Sequence, residues 1–70
     1  MSEQQIQIVT GDVINYIYML SNGHTTKEIA VAYNVNIRTL EAKLSMVRQN
    51  FNVKNSTQLV AFFLRNSLIK

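Results

Sequence analysis

Seventy residues hold one small domain and leave no room for both a full core and a roomy catalytic cleft. Without cysteine there is no disulfide framework and no thiolate zinc site, so an apolar fraction of 47% must stabilise the fold by packing, and that fraction also argues against a disordered chain. The net charge of +3 is unevenly laid out: residues 1–26 carry only Glu3 and Asp12, whereas 27–70 carry all seven Lys and Arg against Glu28 and Glu41, a pattern that points to a polyanion, nucleic acid first.

Residues 1–8 are polar, glutamine-rich and without period, and read as a flexible N-terminal tail before a domain over 9–70. The first helix is predicted over 10–22. Thr10 or Asp12 caps its start, Val13, Ile17 and Leu20 recur at helical spacing with Tyr16 flanking them, and Gly23 sits where a left-handed residue is wanted. Ile14 and Tyr18, spaced i, i+4, fall beside that stripe. They either turn inward with a slight rotation of the helix or form a docking surface for another protein.

Thr25 and Glu28 have the spacing of a capping box, so the second helix starts there, with Ile29, Ala30 and Tyr33 as its apolar face. Asn34-Val35-Asn36 is a turn in which Asn34 tolerates positive φ and Asn36 caps the next helix. That third helix runs over 37–51. Leu40, Leu44, Val47 and Phe51 fall in one narrow arc, and the opposite face holds Arg38, Ala42, Ser45 and Gln49. Asn55 caps a fourth helix with Gln58 at its third position. Its apolar residues run on through Leu68 and Ile69 around most of its circumference, so part of it should meet another chain.

The N-terminus lacks the basic and apolar regions of an export signal, and the longest apolar run, 59–64, is far short of the roughly 20 residues of a membrane span. A cytoplasmic protein without membrane contact is expected. Catalysis has little to work with. The four carboxylates are scattered, the single histidine, His24, is read as a solvated turn residue, and Gly11 and Gly23 stand alone, so there is no phosphate-cradling loop. No catalytic residue, metal site or cofactor is assigned, and the chain reads as a binder.

A short helix, a three-residue turn and a longer helix with a small, basic outer face make a helix-turn-helix, whose second helix places its N-terminal half in the major groove. Small side chains let that helix approach, and Lys27, Arg38, Lys43 and Lys54 supply cations for phosphates.

These residues also resemble a known family. Asn22-Gly23-His24-Thr25-Thr26-Lys27-Glu28-Ile29-Ala30 is similar to the G-x-(S/T)-(N/T)-K-E-I-A signature of LuxR/GerE-type transcription factors. Asn36-Ile37-Arg38-Thr39-Leu40 resembles their recognition-helix start, and the stretch from Phe51 through Thr57 to Val60 resembles their next block, with Leu68-Ile69 matching a common ending. The similarity covers about residues 9–69. It implies an all-α, four-helix domain that binds double-stranded DNA as a sequence-specific transcription regulator, with 37–51 in the major groove. It also implies a bacterial-type homodimer joined through the C-terminal helix, and a stand-alone form regulated by its abundance or by a protein partner.

Carried over by position, the resemblance puts Lys27 and Thr39 at phosphates, Glu41, Ala42 and Ser45 toward base edges, and Thr57 among the DNA contacts. Lys43 stands in place of a frequent His. Ala61, Leu64, Arg65 and Leu68 fall on the dimer face. Three departures stand out. Position 41 is usually Lys and is Glu here, which weakens attraction to DNA although Glu accepts from cytosine N4. Asn52 and Ser67 replace glycines. The alternative is a small antagonist that pairs with a larger regulator of the same type and does not itself bind DNA.

Overall fold

The computed structural model describes residues 9–70. The tail expected over 1–8 lies outside them. Among the described residues the chain forms four α-helices and no strand: α1 (Gly11–Ser21), α2 (Thr26–Ala32), α3 (Ile37–Asn50) and α4 (Ser56–Arg65). The expected all-α class and helix order are those observed.

The starts of α2, α3 and α4 are capped by side chains read from the sequence. Thr25 Oγ1 accepts the Glu28 N–H at 3.1 Å while Glu28 Oε1 accepts the Thr25 N–H at 2.9 Å, a reciprocal capping box. Asn36 Oδ1 accepts from the Arg38 N–H at 2.8 Å. Asn55 Oδ1 accepts from the Gln58 N–H at 2.8 Å, and Gln58 reaches one residue further back, to the Lys54 N–H. The start of α1 differs from expectation. Thr10 holds the N-cap position with extended backbone, but its side chain accepts no helix N–H. Its influence falls instead on the Asp12 carboxyl, whose pKa it lowers.

All four helices stop the same way. Gly23, Asn34, Asn52 and Ser67 take positive φ (90°, 53°, 56° and 57°) just after the helix. The next residue's N–H then bonds back to a carbonyl in the last turn: His24 to Met19, Val35 to Ala30, Val53 to Arg48 and Leu68 to Phe63. This pairing satisfies carbonyls that a helix end leaves free and turns the chain sharply. Only one of the four positions is glycine, which explains how so few breakers permit four helix ends.

The core is wholly apolar among the described residues. Val13, Tyr16 and Ile17 of α1 meet Ile29 and Ala30 of α2, Leu40, Leu44 and Val47 of α3, and Leu59 and Phe63 of α4, with Ile69 closing over them. The main pairings are α1 with α4, α2 with α3, and α1 with α2. Two details correct the reading from periodicity. Tyr16 is core, at 3% exposure, while Leu20 is only partly buried; Tyr16 meets the half-exposed Tyr33 edge to face at 5.3 Å. The fourth helix ends at Arg65, so Leu68 and Ile69 are not on it. The turn at Ser67 folds both back against the core. Phe51, at the end of α3, is half-buried and stacks with Phe62 at 4.7 Å and meets Phe63 edge-on at 6.0 Å, joining α3 to α4.

Candidate nucleic-acid interface

The second and third helices are held as a unit by local bonds. Asn34 turns the chain, Val35 bonds back to Ala30, and Asn36 starts α3 at once. The small, buried Ala30 and the sealed stripe of Leu40, Leu44 and Val47 bring the two helices together. That stripe uses one side of α3 and leaves the other in solvent. Arg38, Thr39, Glu41, Ala42 and Gln49 are exposed and Ser45 is half-buried. Apart from Met46, exposed on the Lys43 flank, small and polar side chains therefore form the outer surface of a helix whose inner surface is locked in the core.

The basic residues are not equivalent. Lys27 is exposed on the first turn of α2, beside a shallow depression bounded by Val31, Asn34 and Ile37. Arg38 is exposed at the start of α3, and Lys54 and Thr57 are exposed at the start of α4. The structure brings Lys54 to the same cleft as Glu41 and Arg48, with Thr26 and Ser56 at its walls. Arg48, half-buried on the same flank of α3 as Glu41, as their i+7 spacing predicts, was not among the expected DNA contacts.

Lys43 lies on the opposite flank of α3. Its Nζ donates to Asp12 Oδ2 at 3.0 Å, tying α3 to the first turn of α1. The Thr10 hydroxyl, and after it the Lys43 ammonium, hold the Asp12 carboxyl below its ordinary value, and Asp12 in turn raises Lys43. Glu28 is also held low, first by the Thr25 backbone N–H and then by the Thr25 hydroxyl. Glu41 is the one Asp or Glu among the described residues with no polar partner.

On α4, Ala61, Leu64 and Arg65 are exposed, Leu64 at 46%. Leu68, beyond the helix end, is partly buried against the core and does not continue their stripe. On α1, Ile14 is partly buried against the core while Tyr18 remains 48% exposed. Among the described residues no three His, Asp or Glu come together around a possible metal ion, and no helix is long and apolar enough to cross a membrane.

The GerE family model, bacterial regulatory proteins of the luxR family, matches residues 15–63. The chain is also 32% identical over 65 residues to a probable transcriptional regulator, ycf29, of Porphyra purpurea. That match covers 93% of this chain and 31% of the relative, so the chain spans about a third of that protein's length. No solved structure matches significantly.

Proposed function

The chain belongs to the luxR family of bacterial regulatory proteins, and we propose that it is a sequence-specific DNA-binding transcription regulator that acts without catalysis. The observation that carries this reading is the division of α3 into a sealed apolar side and an exposed, mostly polar side that has small residues at Ala42 and Ser45 and one large apolar side chain, Met46, on its flank, set beside α2 by a tight turn. A helix so presented fits the major groove, where Ala42 and Ser45 permit close approach and Glu41 accepts from a base amino group. Lys27, Arg38, Lys54, Thr39 and Thr57 meet phosphates at the rim. The exposed residues Ala61, Leu64 and Arg65 of α4 pair two copies on a two-fold site in the cytoplasm.

The partnerless Glu41 carboxylate favours a second reading, an antagonist that pairs with a larger regulator, because a free anion on this side repels DNA. Duplex titration at two salt concentrations separates them. A protein using four to six phosphates loses about 10²-fold or more in affinity from low to physiological salt, whereas an antagonist binds little at either. Selection of bound sites from random duplexes then yields the operator; recovery of a two-fold repeat supports the dimer, and recovery of single half-sites counts against it.

A further inference from the structure

We propose that Asp12 is a positioning residue for α3, holding the Lys43 ammonium against the start of α1 and so keeping that cation away from DNA phosphates. This rests on the DNA-binding reading above.

Among the described residues Lys43 is the only Lys or Arg in an ion pair; the other pairing, His24 with Glu28, lies within one helical turn. Its bond to Asp12 joins residues 31 apart in sequence, from the first turn of α1 to the second turn of α3. The two side chains bound one depression with Val13 and Val47, which both belong to the core, so the polar contact lies at the core's edge between α1 and α3. Asp12 is the better-anchored partner. It stands on a short side chain in the first turn of α1, where backbone N–H groups favour an anion. Lys43 is the longer, freer side chain, and it is the one drawn in. Both are nearly half-exposed, so the pair is weak enough to open without unfolding the domain. A cation counted from the sequence as a phosphate contact is thus spent on orienting the helix that carries it.

The test is a double-mutant cycle on the full chain with a random-sequence duplex, reading affinity against salt. Asp12→Asn frees Lys43, so affinity at low salt should rise about two- to fivefold and the logarithmic salt slope should steepen by about 0.9. Lys43→Gln in the wild-type background should leave the slope unchanged. The same change in the Asp12→Asn background should cancel the gain. Asp12→Ser, which keeps a helix-start side chain, should reproduce Asp12→Asn if the first variant proves unstable. A wild-type slope that flattens by about 0.9 on Lys43→Gln, or strictly additive effects, would overturn the inference while leaving the DNA reading intact. Absence of any salt-dependent binding by wild type and variants alike would instead remove the DNA reading, and this inference with it.

Discussion

Ser67 shows how much one backbone angle costs. At φ 57° its Cβ crowds the neighbouring carbonyl, a strain of about 1–2 kcal/mol for an L-residue that glycine does not feel. Part of the gain from removing it is lost to the freer unfolded chain, so Ser67→Gly should stabilise by about 0.5–1 kcal/mol and raise the melting temperature by several degrees, roughly 2–8 °C. Gly23→Ala should do the reverse. The space around that Cβ is open, so the loss would come from φ 90° alone, and a variant that melts no earlier would show the turn relaxing. Ala42 separates folding from binding. It is exposed on α3, so Ala42→Leu should leave the melting temperature nearly unchanged while lowering duplex affinity by a factor of 10 or more, roughly the cost of holding a helix off the base edges. Matched losses of stability and affinity would place the methyl group in a packing role.

At the scale of the element, α2 has only seven residues and depends on its ends. Thr25→Ala removes one half of the reciprocal cap and should cost about 1 kcal/mol, measured by denaturant midpoint at constant slope. Glu28 is the other half, and its lowered pKa gives the pH dependence a definite sign. A carboxyl depressed in the folded state contributes stability above its unfolded value and loses that contribution as pH falls through the folded value. Glu28 and Asp12 are lowered from 4.5 and 3.8. Stability should therefore be flat from neutral pH to about 5 and decline below about 4.5, and Glu28→Gln combined with Asp12→Asn should flatten the acid limb of a pH series of melts. Lys43 mirrors this at the alkaline end. Raised above 10.5, it contributes below that pH and ceases to contribute as pH climbs through its folded value.

For the whole molecule, the question is which apolar surface remains once the core has closed. Leu64 is 46% exposed on the side of α4 away from Phe63, which is fully buried. If two copies pair through α4, Leu64→Lys should give a folded monomer by sedimentation with weakened operator binding; a wild-type chain that is already monomeric at high concentration would dismiss that interface. The two residues considered for docking on α1 part company. Ile14 packs against the core and Tyr18 does not, so Ile14→Arg should cost about 1–3 kcal/mol whereas Tyr18→Arg should be nearly neutral in a thermal melt. Any partner surface on α1 is then probed through Tyr18 alone.

The features legible in the sequence were those made within one or two turns of chain. Thr25 with Glu28, Asn36 with Arg38, and Asn55 with Gln58 are pairs two or three residues apart, and the α3 stripe is a matter of angle along one helix. Spacing encodes such contacts directly, because helix geometry is the same wherever the helix lies. The ordered blocks around Gly23, Thr39 and Thr57 carried the family in the same way. The tertiary structure decided what depends on how the helices dock. It made Tyr16 core and Leu20 peripheral, because the rotation of α1 is set by α2 and α4 packed against it. It ended α4 at Arg65, since a left-handed Ser67 has no marker in the residue type and is held by the burial of Ile69 beyond it. It joined Asp12 to Lys43 and brought Lys54, from the start of α4, to the flank of α3 that carries Glu41 and Arg48. Those side chains come from different turns or different helices, and no local period records which of them will meet once a common core has fixed the distances between helices.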